Sequence, residues 1–171
     1  MMIFSKKEKN TQEEEFSALL AQGLASFKKN EHQKALKYFQ DALKIKPDSP
    51  TILSQLGYVY KALGEYDQAV LSFEQALKVG PKDEEEIKKC QILHHIALVY
   101  TAKRDWEKAK MYSLEAIKED ARYAPAYKLL AGIYFDQKEF RKSVEYCGKA
   151  LEIDPNDTMV LKVKKSAETQ I

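Results

Sequence analysis

Apolar and polar residues follow one another along this chain with the period of an amphipathic helix. Apolar or small residues recur at spacings of three, four and seven in successive runs. Short polar turns join these runs in pairs, at Asn30-Glu31, Gly64-Glu65, Arg104-Asp105 and Lys138-Glu139. The pattern therefore predicts an all-α protein built from helical hairpins.

Small and large residues recur in these hairpins at a fixed period. The second hairpin carries, in order, Leu53, Leu56, Gly57, Tyr60, Ala69, Phe73, Ala76 and Pro81. A shift of 34 residues toward the N-terminus leads to the matching residues Gly23, Ala35, Phe39, Ala42 and Pro47. Shifts of 40 and then 34 residues toward the C-terminus lead to Ala97, Tyr100, Ala109 and Ala116, and then to Ala131, Tyr134, Ser143, Ala150 and Pro155. We expect four stacked repeats, because neither helix of a hairpin buries its apolar side alone.

The repeats set the expected domain boundaries. One domain is predicted over residues 16–171, with repeats at 16–49, 50–83, 90–123 and 124–157. Residues 84–89 are an insertion, and with Asp83 as N-cap they are expected to extend the first helix of the third repeat. Residues 1–15 are expected to be a polar, flexible segment. Residues 158–171 are expected to form a capping helix, for which Asp157 and Thr158 offer an N-cap.

The second hairpin resembles the tetratricopeptide repeat, whose order of Leu, Leu-Gly, Tyr, Ala, Phe, Ala and Pro it follows. The resemblance covers Phe16 to Asp157, with departures at Ser113, Cys147 and Ala121. It implies a right-handed α-solenoid of stacked antiparallel helix pairs, a TPR superhelix. It also implies a scaffold or adaptor without enzymatic activity, in which the first helix of each hairpin lines a concave groove that binds a peptide or an amphipathic helix.

Carried over position by position, the resemblance predicts which residues line that groove. The committed set is Leu20, Leu24, Phe27, Ser54, Gln55, Tyr58, Lys61, Gln91, His94, His95, Leu98, Lys128, Leu129 and Phe135. The clamp of Lys, Asn, Asn, Lys and Arg, with which the co-chaperone branch binds a C-terminal carboxylate, is replaced by Leu20, Leu24, Gln55, Gln91 and His95. We therefore expect a protein or peptide ligand with apolar side chains.

Two alternatives compete for the same groove. The first is that the chain's own N-terminal segment folds back and covers Leu20, Leu24 and Phe27 with Ile3 and Phe4. The second is a self-assembling protein, a homo-oligomer in which the groove or the capping helix of one copy contacts another copy.

Composition and charge narrow the remaining functions. The chain is 44% hydrophobic and 32% charged, and no apolar run approaches the length that a membrane span needs, so a cytoplasmic protein is expected. A net charge of +2 disfavours nucleic acid as a partner. No nucleophile with its base and no glycine-rich phosphate loop is present, so we predict no enzyme and no cofactor. Cys90 and His94 share one helical face, but no second ligand pair accompanies them, so no metal site is predicted.

Overall fold

The computed structural model describes residues 6–80 and 88–171 of the 171-residue chain. These residues form nine helices and no strand, as the sequence predicts. In chain order they are α1 (Lys6–Lys28), α2 (His32–Ile45), α3 (Pro50–Ala62), α4 (Tyr66–Val79), α5 (Lys89–Ala102), α6 (Trp106–Glu119), α7 (Ala124–Asp136), α8 (Phe140–Ile153) and α9 (Thr158–Glu168).

The chain divides into two compact units rather than the one domain that was expected, with the boundary between Ile87 and Lys88. In unit 1, α1 packs on α2, α2 on α3 and α3 on α4. In unit 2, each helix from α5 to α8 packs on the next one, and α9 contacts both α8 and α7. Within each unit, successive hairpins stack in the manner of a helical-repeat solenoid.

The predicted hairpin turns are confirmed, and they share one backbone geometry. Asn30, Gly64, Arg104 and Lys138 have φ of 60°, 79°, 59° and 61°. After each of these residues, a backbone N–H donates to a carbonyl five residues earlier, as Glu65 does to Tyr60 at 2.9 Å. This pattern is the Schellman motif, which satisfies carbonyls at a helix C-terminus and aims the chain back toward the next helix.

The buried cores consist of the residues that recur in the repeat. In unit 1, Ala35, Phe39, Ala42, Ile52, Leu56 and Val59 form one buried cluster. In unit 2, Val160 of α9 is buried against Ala131, Cys147 and Ala150. The predicted capping helix therefore contributes to the core, and its predicted N-cap is confirmed: the Asp157 carboxylate accepts from the backbone N–H groups of Met159 and Val160 at 2.9 and 3.0 Å.

The N-terminal segment differs from the prediction. Residues 6–15 were expected to be flexible, but they are the first turns of α1. No Gly or Pro interrupts the chain between Lys6 and Phe16, so the helix continues. The Lys46 ammonium also ties α1 down, because it lies 2.6 Å from the Glu13 carboxylate and 4.3 Å from the Phe16 ring centroid. Ile3 and Phe4, the residues of the fold-back alternative, lie outside the described residues.

The start of α5 also differs from the prediction. Lys88 has extended backbone angles, φ −71° and ψ 150°, and the helix begins at Lys89, so it does not run continuously through the insertion. The Lys88 backbone N–H donates to the Gln91 side chain at 2.8 Å, which completes a capping interaction. Asp83 and the rest of the predicted extension up to Ile87 lie outside the described residues.

Candidate functional site

The predicted groove residues of unit 1 lie on α1 and α3. We call Leu20, Leu24, Phe27, Gln55, Tyr58 and Lys61 the first-helix face of unit 1. Leu20 and Phe27 are half-buried and pack against the core cluster, whereas Leu24 remains 42% exposed. The Tyr58 ring meets the ring of Phe73 edge-on, with 5.2 Å between centroids. This face presents partly open apolar side chains held in place by the core beneath them.

Ser54, which was also predicted to line the groove, is only 1% exposed. Its hydroxyl oxygen is buried and has no hydrogen-bond partner among the residues that the structure describes. A serine hydroxyl in a helix commonly donates to a carbonyl one turn earlier, as Ser113 does to Ala109 at 2.8 Å, but Ser54 lacks that bond. Ser54 therefore offers no surface to a ligand, and it is not part of the first-helix face.

Lys61 is the cationic residue of this face. It lies half-buried in the last turn of α3, and burial lowers the pKa of its ammonium group with no opposing contribution from a nearby acid. Three other lysines of unit 1 instead pair with carboxylates: Lys34 with Glu31, Lys44 with Asp41, and Lys46 with Glu13. Lys61 makes no ion pair with any residue in the ranges 6–80 and 88–171.

In unit 2, the predicted residues on α5 surround two histidines. The rings of His94 and His95 lie 5.5 Å apart, and His94 also meets Tyr123 edge-on at 5.5 Å. Burial is the main cause that raises the pKa of Tyr123 to about 12. Leu98 is half-buried on the same helix, and Gln91 is engaged in the cap at Lys88. Tyr123 was missed because it precedes the helix α7 to which the groove rule applies.

Lys128 and Leu129 on α7 have different roles. Leu129 is half-buried, but the Lys128 ammonium forms an ion pair with the carboxylate of Asp157, the N-cap residue of α9. That hydrogen bond is the first cause, and the N–H of Val160 the second, that lowers the pKa of Asp157 below its usual range. Lys128 was predicted as a polar contact for a ligand. In the structure, it joins α7 to the start of α9.

Phe135 borders a cavity of about 430 Å³ that the sequence reasoning missed. The ring of Phe135 lies 5.6 Å from that of Phe140, and the cavity is closed on its other side by α9. Its lining residues are Phe135, Asp136, Lys138, Phe140, Ser166, Thr169 and Gln170. Ser166, Thr169 and Gln170 stand 34 residues after Gly132, Phe135 and Asp136. One further step of the repeat period would have identified them.

A larger cavity of about 770 Å³ lies in unit 1, away from the first-helix face. It lies where the C-terminal ends of α2 and α4 meet the start of α3, and it is lined by Gln40, Leu43, Lys44, Pro47, Asp48, Leu53, Gln75, Lys78 and Val79. No sequence motif marked this cavity, because its walls come from turns and helix ends that the repeat pattern treats as polar surface.

The cysteines and the described helices add two further observations. Cys90 is buried, and burial is the first cause that raises the pKa of its thiol, which keeps the group protonated. Within the described ranges, no group of three or more His, Cys, Asp and Glu side chains is arranged to hold a metal ion. None of the helices described is both long and apolar enough to cross a bilayer.

Comparison with known proteins gives a consistent family. Two sequence profiles, both described as tetratricopeptide repeat, match residues 19–91 and 124–157. A curated relative, the DnaJ homolog subfamily C member 7 homolog of Schizosaccharomyces pombe, is 26% identical over 152 residues, which cover 82% of this chain and 32% of that protein. The first curated relatives that match are all longer, since this chain spans between 14% and 32% of their lengths.

Solved structures share the fold at low identity. The MamA protein superimposes with a TM-score of 0.74 at 19% identity, covering 92% of this chain and 82% of MamA. YrrB, described as a TPR protein with an unusual peptide-binding site, gives a TM-score of 0.64 at 17% identity, covering 86% of this chain and 73% of YrrB. At these identities, the likeness shows the fold alone.

Proposed function

Since the chain belongs to the tetratricopeptide repeat family, we propose that it is a protein-interaction scaffold without enzymatic activity. Its ligand is a peptide or an amphipathic helix that contacts the first helices of the hairpins. Members of this fold include YrrB, whose peptide-binding site supports a similar use of the fold here.

The observation that carries this proposal is the exposed apolar surface of the first-helix face of unit 1. Leu24 is 42% exposed, and the half-buried Phe27 and Tyr58 accompany it. Large side chains that are held by a core but left partly open to water favour the burial of a partner's apolar residues. In unit 2, Leu98 and Leu129 are half-buried on α5 and α7 and supply the same chemistry.

The ligand is not held mainly by a C-terminal carboxylate. Leu20, Leu24 and Gln55 occupy three of the five clamp places in unit 1, and none of them is a cation. In unit 2, the Gln91 side chain already accepts a bond from the Lys88 backbone. His95 takes the last place, and an imidazole is a fixed cation only at acidic pH. Apolar contacts therefore dominate the expected recognition.

Affinity capture from the source cell tests the proposal with matched leucine variants. Leu24→Ser and Leu98→Ser each place a hydroxyl on a first helix, whereas Leu71→Ser and Leu114→Ser make the same change on α4 and α6, where the leucines are 49% and 46% exposed. We expect partners to be lost with the first pair and retained with the second. Retention with all four variants, at unchanged thermal stability, would contradict binding at the first helices.

A second candidate function is self-association through α9. Met159 and Leu161 are 66% and 46% exposed on this helix, while Val160 between them is buried. Exposed apolar residues on a terminal helix favour contact with a second copy. Light scattering over a concentration series tests this candidate, with Leu161→Lys as the disrupting variant. A wild-type protein that stays monomeric at high concentration excludes it.

A further inference from the structure

The predicted groove positions of unit 1 carry positive charge and no negative charge. On α1 and α3 they comprise Ser17, Leu20, Ala21, Leu24, Phe27, Lys28, Thr51, Ser54, Gln55, Tyr58, Lys61 and Ala62. Lys28 and Lys61 are the only ionised residues among them, and both lie in the last turn of their helices. This bias is local, because the whole chain carries only +2.

The environment of Lys61 sets it apart from the other lysines of unit 1. Its ammonium is half-buried, and no carboxylate of the described ranges pairs with it, although Lys34, Lys44 and Lys46 all have such partners. Removing an ammonium from water without a counter-ion costs free energy, which a carboxylate brought by a ligand would recover. The lowered pKa of Lys61, caused by burial alone, agrees with this environment.

Unit 2 does not share this property. Its groove lysine, Lys128, is already paired with Asp157, and Asp136 is an exposed acid on the same helix. The apolar part of the surface is similar in the two units, so the difference between them is one of charge. Any preference for acidic ligands is therefore expected to come from unit 1.

We propose that the first-helix face of unit 1, together with Lys28, binds a partner segment in which side-chain carboxylates stand next to large apolar residues. One carboxylate pairs with Lys61 and a second with Lys28, while the apolar residues cover Leu24, Phe27 and Tyr58. This inference rests on the proposed function and names the chemistry of its ligand. The charge arrangement differs from a C-terminal clamp, because Lys28 and Lys61 occupy none of the five clamp places.

A random peptide display library tests the inference without a known ligand. The full chain is used as bait, with peptides amidated at the C-terminus on resynthesis so that no terminal carboxylate remains. We expect enriched peptides to combine Asp or Glu with Leu, Ile, Phe or Trp. Their affinity is expected to fall about tenfold on Lys61→Met, because a charge-assisted contact is lost. Lys37→Met, which removes one exposed positive charge from α2, is the matched control and is expected to change affinity little.

The results separate this inference from the proposed function. Enriched peptides without an excess of Asp or Glu, a library that yields no enrichment, or equal losses with Lys61→Met and Lys37→Met would each overturn the acidic ligand. If Leu24→Ser still abolishes capture of cellular partners in those cases, the protein-binding scaffold stands and only the ligand chemistry is wrong. If Leu24→Ser and Leu98→Ser both leave capture intact, the scaffold proposal fails independently of the peptide result.

Discussion

Gly57 of α3 lies directly against the ring of Phe73 of α4. A Cβ atom built on Gly57 would lie 2.6 Å from Cε1 of that ring, and one built on Gly23 would lie 2.4 Å from Cε1 of Phe39. In unit 2, the same repeat positions hold Ala97 with Ser113 and Ala131 with Cys147. A glycine thus stands where the facing residue is Phe, and an alanine stands where it is small, so each hairpin keeps the two helices close by a different division of volume.

Gly57→Ala is expected to destabilise the protein by ~1–3 kcal/mol, because the added methyl group overlaps a ring that is fully buried and has little room to move. Gly148→Ala is the control. No atom lies within 4 Å of the Cβ position in that helix, so this change is expected to stabilise by roughly 0.5–1 kcal/mol through helix propensity. Urea unfolding at equilibrium measures both. Equal effects of the two variants would contradict the close packing at Gly57.

The left-handed turn residues lead to an opposite pair of changes. Arg104→Gly and Lys138→Gly are each expected to stabilise by about 0.5–1 kcal/mol, because φ of 59° and 61° strains a residue that has a Cβ atom. Gly64→Ala is expected to cost about 1 kcal/mol for the same reason, since its φ is 79° and the space around it is open. Thermal unfolding ranks the three variants. A gain from Gly64→Ala would show that the turn relaxes.

Two buried serines are expected to respond differently to the loss of a hydroxyl group. Ser54→Ala removes an oxygen that has no described partner, so the free energy of unfolding should stay unchanged or rise by up to ~1 kcal/mol. Ser113→Ala removes a hydroxyl that donates to Ala109 and is expected to cost up to ~1 kcal/mol. Chemical denaturation compares them. A clear loss with Ser54→Ala would reveal a bond of this hydroxyl that the description of the site lacks.

Tyr123 gives a dependence of stability on alkaline pH. Its pKa is raised from 10.0 to about 12, so between these values the unfolded chain loses the phenolic proton while the folded protein keeps it. The unfolded state then binds fewer protons, and the stability of the wild type falls as pH rises through this range. Tyr123→Phe is expected to reduce that fall. Absorbance titration of tyrosinate in wild type and variant provides the measurement, and identical titration curves above pH 10 would refute it.

Much of the fold follows from spacing along the chain. The 34-residue period predicted the hairpins, their turns and the closing helix, because a helix and its turn depend on residues that are near in sequence. Asp157 shows the limit of such reasoning. Its place before α9 predicted an N-cap, but its ion pair with Lys128 joins residues 29 positions apart and could not be read from local pattern.

For the candidate site, the repeat register identified which helices carry the first-helix faces but not which side chains remain available. Whether Ser54 is buried, whether Lys61 has a counter-ion and where α5 begins depend on how neighbouring helices pack, since packing decides solvent access and the reach of each charge. The period alone thus determined an all-α helical repeat and its small and large core positions. Only the tertiary structure decided that Lys128 is engaged, that α9 lines a cavity with Phe135, and that Lys61 is left for a ligand.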